Sequence, residues 1–430
     1  MRSVKFALSS KNATAWGAAV LLTSAYLAEN KKANQLLAEL PDSFVGERRA
    51  VCQSLFLGAL RHGFRVRAAL NPFVRRAPRP ELEAVLLVAG YELLDAPEEK
   101  APKIIHHAVE QAKALAKASE SGFLNALLRK LPAALEAQSP EKSAAAYYSH
   151  PAWLVSHWEA VFGADACKAL LEWNQGIPDT YLRIYDPADV PEGLEATEWP
   201  GFFRIRSAEL HSDAVQALLA EGRAYIKDPS TRRATALLAP QPGECVLDLC
   251  ASPGGKAFDL AHRMQGEGCL VAVDLPGKRI ERLEENLNKL RSEKLQATIL
   301  PSDVLELSKE AFAEQALPDS YDAVMLDAPC SNTGVIQRRT DVKWRLAPKD
   351  IPACAKLQQQ LIHSAARFVK PGGKFVYSTC SIEPEENQVL IDAFLKSKSG
   401  QAFQLLESVH CLPWECRHDG ATAFLLQRSL

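Results

Sequence analysis

Residues 246–256 read Val-Leu-Asp-Leu-Cys-Ala-Ser-Pro-Gly-Gly-Lys. Apolar residues around one acid predict a strand buried on both faces of a parallel sheet, and the small residues after it let backbone approach a ligand closely. In an open α/β sheet such a loop leaves a strand's carboxyl end and feeds the next helix, whose free N–H groups favour a negatively charged or polar ligand.

Strands and helices alternate on its C-terminal side. Strands are predicted over 246–249, over 269–273 ending at Asp274, over 297–300 before Asp303, over 321–326 ending at Asp327, and over 374–377 before Ser378-Thr379-Cys380. Helices are predicted near 279–290, over 351–368 and from Pro384. The alternation implies a Rossmann-like, doubly wound α/β domain with a parallel sheet, five of whose strands end in a polar or reactive residue.

Those strand ends restrict the ligand. A P-loop is excluded, because Lys256 follows only two adjacent glycines and precedes Ala257; the Gly-x-Gly-x-x-Gly dinucleotide fingerprint is absent as well. Asp274 lies about twenty residues past the glycines, where a carboxylate accepts both ribose hydroxyls of an adenosine. With Asp303 placed to reach the adenine edge, the set fits S-adenosylmethionine, a nucleoside without phosphates.

The remaining ends supply chemistry. Asp327-Ala328-Pro329-Cys330 puts a carboxylate and a thiol at one strand end, and Thr379-Cys380 puts a second thiol at the next. A single cysteine is most simply a core residue; two at strand ends facing one crevice are not. Methylation of a pyrimidine at carbon 5 needs this set. A thiolate adds at carbon 6 to make carbon 5 nucleophilic, and an acid group holds the N3 and amino edge as charge develops. Carbon 5 then attacks the sulfonium methyl, a base removes the carbon 5 proton, and the thiol is expelled. The base must first be flipped out of its stack.

With 430 residues the chain exceeds one ordinary core. Its ten cysteines are irregularly spaced without a Cys-x-x-Cys pair, so reduced thiols, no zinc finger and no metal centre are expected. The start, with Arg2 and Lys5 before an apolar run over 13–28, imitates a secretory signal. Lys11 and Asn12 interrupt it, and Leu21, Leu22, Ala25 and Leu27 continue into charge as an amphipathic helix would, so a cytoplasmic protein without membrane spans is expected.

Residues 1–130 hold 19 Lys and Arg against 12 Asp and Glu, although the whole chain has a net charge of −2. Helical spacing recurs at Val51, Leu55 and Leu60, at Leu82, Val85, Leu86 and Ala89, and at Ile104, Ala108, Val109, Ala112 and Leu115, predicting an all-α bundle. Within it Arg61, Arg65, Arg67, Arg75, Arg76 and Arg79 share a stretch without an acid. It reads either as a solvated surface or as an RNA-phosphate contact; the missing acids favour RNA. An Ala-rich linker is expected over 132–140. Beyond it, a helix near 153–162 and strands over 180–185 and 201–205 predict a small α+β piece. Three domains result: a helical one over 1–135, the α+β piece over 150–240, and the α/β domain over 241–430.

Several phrases carry a resemblance. Gly58-Ala59-Leu60-Arg61-His62-Gly63, Gly90-Tyr91-Glu92-Leu93-Leu94, His107-Ala108-Val109-Glu110 and Gly122-Phe123-Leu124-Asn125-Ala126-Leu127-Leu128-Arg129 look like the NusB-type RNA-binding fold. Residues 247–256, 327–335 with Asp341-Val342-Lys343-Trp344, and 377–381 with Glu383-Pro384-Glu385-Glu386-Asn387 resemble the RsmB/NOP-type RNA cytosine-C5 methyltransferases. The resemblance covers nearly the whole chain and implies the bacterial branch that modifies small-subunit ribosomal RNA, acting as a monomer.

It also implies roles. Cys380 would be the nucleophile, and Cys330 would assist product release. Asp327 would hold the cytosine edge and Lys256 would orient the site. Cys250, Ala251, Ser252, Pro253, Gly254, Gly255, Lys256, Asp274, Asp303 and Asp327 would form the cofactor site, and Arg338 and Lys343 would join the arginines on RNA. The chain departs from the family pattern at Lys227 and Arg232, where glutamine is usual, at Arg339-Thr340, at Ala257, and over 275–277.

Overall fold

The computed structural model describes residues 14–29, 31–113, 118–290 and 292–430, apart from the side chains of 118 and 119. Arg2, Lys5, Lys11, Asn12, Ala13 and Leu115 therefore lie outside the described residues. By contacts the chain forms two units: one runs to Gly176 and takes in Ile336–Arg345, and the other comprises Ile177–Val335 and Leu346–Leu430. Among the described residues no helix is long and apolar enough to cross a membrane.

The first unit is helical, as the spacing predicts, with long helices Ala15–Ala28, Gly46–Leu70, Pro80–Leu94, Ala101–Ala112 and Ala118–Glu136. Ala15–Ala28 is not amphipathic as expected: it packs on both Gly46–Leu70 and Pro80–Leu94, burying Trp16, Val20, Leu22 and Thr23 on several faces. Two motif glycines allow these helices to approach. A Cβ at Gly58 would lie 2.3 Å from the Tyr91 ring and one at Gly90 2.7 Å from Val66, so even alanine would separate the helices. The helix begun at Ala118 runs through Pro132, inside the expected linker, to Glu136.

Residues 336–345 complete this unit. Lys343 Nζ donates to the Arg61 carbonyl at 2.5 Å and Trp344 Nε1 to the Leu60 carbonyl at 2.7 Å. Arg61 in turn donates to the Gln337 carbonyl at 3.0 Å, and the Ala33 amide donates to the Asp341 carboxylate at 3.3 Å.

The second unit holds two sheets. The smaller is antiparallel, in the order β2-β3-β1-β4, with β1 Tyr181–Ile184, β2 Glu195–Ala196, β3 Phe202–Arg204 and β4 Ala224–Ile226. The larger has seven strands: β5 Cys245–Leu249, β6 Gly268–Asp274, β7 Leu295–Pro301, β8 Tyr321–Asp327, β9 Val369–Thr379, β10 Phe403–Cys411 and β11 Ala421–Arg428, ordered β10-β11-β9-β8-β5-β6-β7. Successive residues alternate between its faces: Leu247, Leu249, Val324 and Leu326 pack on one side, and Val246, Ala323 and Met325 on the other.

The expectation of a parallel sheet holds for β5 to β9 and needs correction beyond them, because β11 runs antiparallel to both β9 and β10. β10 was illegible because it is an edge strand, exposed over most of its length and irregular between Leu405 and Glu407. The winding reverses between β5, which leads to β6 and β7, and β8, which leads to β9. A crevice opens at the carboxyl ends on either side of such a switch point.

Candidate active site

The loop after β5 is held from several sides. Asp274, at the end of β6, accepts the Ser252 amide at 2.7 Å on one oxygen and the Leu275 amide at 2.8 Å on the other. Arg279 donates to the Ser252 carbonyl at 2.9 Å, and Asn286 to the Pro253 carbonyl at 2.7 Å. Gly254 has a φ of +99°, and a Cβ there would meet Leu283 at 2.9 Å, so only glycine fits. Gly255 and Lys256 then open the helix Gly255–Arg263. Asp303, at the end of β7, caps its own turn by accepting the Leu305 amide at 2.9 Å. Cys250 and Ala251 lie at the turn out of β5, the Ala251 amide donating to the Val273 carbonyl at 3.0 Å.

Asp248 sits beneath this loop, fully buried, and among the described residues neither of its carboxylate oxygens has a hydrogen-bond partner; the buried Ser252 Oγ has none there either. Burial, with the nearby Asp327 charge second, pushes Asp248 up to about 8. Orphaned acceptors beneath a glycine turn fit a ligand that brings polar hydrogens and positive charge, as S-adenosylmethionine does. Asp248 stands inside the diagnostic stretch, but nothing in the alternation distinguishes it from an acid made in passing.

The chemistry lies at the ends of β8 and β9. Their register pairs Asp327 with Ser378, whose hydroxyl donates to the Asp327 carboxylate at 2.9 Å. Lys256 Nζ donates to its other oxygen at 2.7 Å. Burial alone would lower Lys256, but the Asp327 carboxylate outweighs it and the ammonium is raised. A thiolate on Cys380 would raise it further. The Cys330 and Cys380 sulfurs are 3.2 Å apart, and neither is in a disulfide. Hydrogen bonding to Cys380 and then burial raise Cys330 well above the ordinary thiol range, so Cys330 keeps its proton. Asn332 links the pair, accepting from the Cys380 thiol at 3.4 Å and donating to the Cys330 carbonyl at 2.6 Å.

A buried carboxylate fixes both cysteine loops from behind. Glu386 accepts the Ser331 amide at 2.9 Å, the Ser381 hydroxyl at 2.7 Å, the Gln358 amide at 2.7 Å and the Ser331 hydroxyl. Ser331 and Ser381 immediately follow the two cysteines. The motif run containing Glu386 marks it in the sequence; the dependence of both loops on it needs tertiary structure.

Lys227 is buried, with its ammonium 3.0 Å from both Asp259 and the Tyr185 hydroxyl and 3.5 Å from the Gly255 carbonyl. Burial lowers it, and Asp259 offsets part of that. The lysine in place of glutamine is thus matched by an acid on the helix that carries Lys256. Arg232 is half-buried; Arg339 is exposed and Thr340 buried.

The proposed RNA arginines separate. Arg61 and Lys343 are buried, at 4% and 1% exposure, and are used on carbonyls within the helical unit, which corrects the expectation that they face phosphate. The acids missing from the stretch lie just beyond it or arrive by folding: Arg79 pairs with its near neighbour Glu81 and with the distant Glu120, both at 2.9 Å, and Arg67 with Glu83 at 2.5 Å. Arg65 binds Gln138 at 3.2 Å and stacks over Tyr147. Arg75 and Arg76 are exposed and make no ion pair among the described residues. Arg338 is half-buried.

A glycine turn at a switch point, acids at the ends of the two neighbouring strands, and a thiol pair beside a lysine-bound carboxylate fit a methyltransferase that works through cysteine. Residues 235–412 match the family model "16S rRNA methyltransferase RsmB/F", and residues 17–132 match the NusB family. The chain is 30% identical over 391 residues to ribosomal RNA small subunit methyltransferase B of Escherichia coli strain UMN026, covering 86% of each protein. It is 30% identical over 402 residues to the protein of that name from Proteus mirabilis, covering 90% of this chain and 92% of that one. Among solved structures, PH0851 shares the fold with a TM-score of 0.74 at 22% identity, over 96% of this chain and 99% of that one. NSun6 from Pyrococcus horikoshii aligns with a TM-score of 0.54 at 16% identity, over 65% and 98%. The chain belongs to the RsmB family of 16S rRNA methyltransferases. It is an S-adenosylmethionine-dependent RNA cytosine-C5 methyltransferase.

Proposed function

We propose that this enzyme acts as a cytoplasmic monomer on a cytosine of small-subunit ribosomal RNA, with Cys380 as the attacking thiol. The observation that carries the reading is the 3.2 Å Cys330–Cys380 pair beside an Asp327 held by Lys256. Bound in the loop 250–256 and against Asp274 and Asp303, S-adenosylmethionine supplies an electrophilic methyl group. The protein does the rest. The Lys256 ammonium favours the Cys380 thiolate, which adds to carbon 6 of the flipped base. Asp327, fixed by Ser378 and Lys256, faces the N3 and amino edge. Cys330, kept protonated and hydrogen-bonded to Cys380, serves the release step: a solvent base takes the carbon 5 proton, the C5–C6 double bond re-forms as the C6–S bond breaks, and Cys330 gives its proton to the departing Cys380 sulfur.

In this reading the helical part over 1–135 and the α+β piece over 150–240 hold RNA, and the domain over 241–430 performs the transfer. The test supplies labelled cofactor with separate pools of small-subunit ribosomal RNA, transfer RNA and DNA. Label in the ribosomal RNA as 5-methylcytosine is expected; label in DNA or transfer RNA instead overturns the substrate assignment.

A further inference from the structure

We propose that Cys411, Cys416 and His418 form a zinc site that braces the loop between β10 and β11. Their ligand atoms all lie within 4.8 Å of one another. β10 ends on Cys411, which is 2% exposed. One helical turn, Pro413–Cys416, follows, and Arg417 then takes a left-handed conformation, with φ +57° and ψ +30°. This reversal, unfavourable for arginine, returns the chain so that His418 and Cys416 both face Cys411.

The histidine is arranged as a metal ligand is. Its Nδ1 lies 2.8 Å from the Asp419 carbonyl, which fixes the proton there and leaves Nε2 as the acceptor. That Nε2 is buried and has no hydrogen-bond partner among the described residues. Trp199 packs edge-on against the ring with centroids 5.5 Å apart, restricting its rotation. An acceptor nitrogen buried without a donor is costly, whereas a cation held with two thiolates satisfies it. Two sulfurs and one imidazole suit tetrahedral zinc, in which bound sulfurs lie about 3.8 Å apart given Zn–S bonds of about 2.3 Å. Both thiols lose their protons to solvent on coordination, and the fourth position is left to water.

The loop touches the catalytic strand end. The Asp419 amide donates to Asp228 at 3.2 Å and the Gly420 amide to the Gly334 carbonyl at 2.8 Å; the Gly334 amide donates to the Cys380 carbonyl at 3.1 Å. A metal here would therefore steady the backbone that carries the nucleophile.

The test uses full-length protein, stripped by a chelator under reducing conditions and titrated with Co2+ and then Zn2+. One equivalent of Co2+ should give a thiolate-to-metal charge-transfer band that persists in Cys330→Ala, is displaced by Zn2+, and weakens at least tenfold in affinity in Cys416→Ser. Zn2+ should also raise the Tm of the wild type by a few degrees and leave that of Cys416→Ser unmoved. Because Cys416 is half-exposed, Cys416→Ser should fold; His418→Ala provides a second loss-of-ligand variant. A band lost in Cys330→Ala but kept in Cys416→Ser, no binding at all, or a Cys411–Cys416 disulfide in place of a metal overturns the proposal.

Discussion

Glu386 accepts hydrogen bonds from Ser331 and Ser381, the residues that follow Cys330 and Cys380, and so one buried carboxylate sets where both thiols stand. A carboxylate is acceptor-only and can take all four donors; an amide offers one oxygen and opposes two of them with its own N–H groups.

Glu386→Gln should therefore separate the cysteines without touching the cofactor loop. We expect kcat to fall at least tenfold with KM for S-adenosylmethionine within about twofold, and a stability loss of about 1–3 kcal/mol. A KM increase with unchanged kcat would show that Glu386 does not position the thiols.

Asp248 makes stability pH-dependent. Its folded value is raised from 3.8 to about 8, so the folded state holds a proton that the unfolded chain has released. Its contribution is complete below the unfolded value and is lost as pH rises toward 8, at up to about 1.4 kcal/mol per pH unit. Asp248→Asn should flatten the cofactor-free unfolding free energy between pH 5 and 8. Parallel curves for the two proteins contradict this.

Lys227 and Asp259 form a buried pair, at 5% and 3% side-chain exposure. Lys227→Gln alone should cost about 3 kcal/mol in urea unfolding, because it leaves Asp259 to Arg263 at 3.5 Å and Thr235. Adding Asp259→Asn should recover most of the loss. Asp259 is held below the usual carboxylate range by Lys227 and Arg263 despite burial, so its contribution is present at neutral pH and disappears on acidification. No recovery in the double variant would mean that the pair is not coupled.

Arg75 and Arg76 are the exposed, uncommitted members of the arginine stretch. Replacing both with Ala should reduce the salt slope of RNA binding by roughly 1.4–1.8, as two lost phosphate contacts require. Arg61→Ala should instead destabilise the helical unit, since Arg61 ties it to Gln337. An unchanged slope in the double variant assigns Arg75 and Arg76 to a plain solvated surface.

These predictions divide along what the sequence carries. The strands β5, β6 and β8 were legible because their residues are buried on both faces, and the reactive residues were legible because they stand at the carboxyl ends of β8 and β9. The Arg61 to Arg79 stretch misled for a physical reason: its compensating acids Glu83 and Glu120 come from other parts of the bundle, and Arg61 turns inward. Lys343 likewise lies in the α/β half of the sequence yet is buried with Arg61. Neither Asp248's lack of partners nor Glu386's four donors has a local signature, since each depends on residues brought together by the sheet.

The division of labour between the thiols is the central claim. Cys380→Ala and Cys330→Ala should each be incubated with ribosomal RNA and S-adenosylmethionine, and the products resolved under denaturing conditions. Cys330→Ala is predicted to accumulate a covalent protein–RNA adduct through Cys380, while Cys380→Ala forms none and transfers no methyl group. An adduct through Cys330 in the Cys380→Ala protein would contradict the assignment.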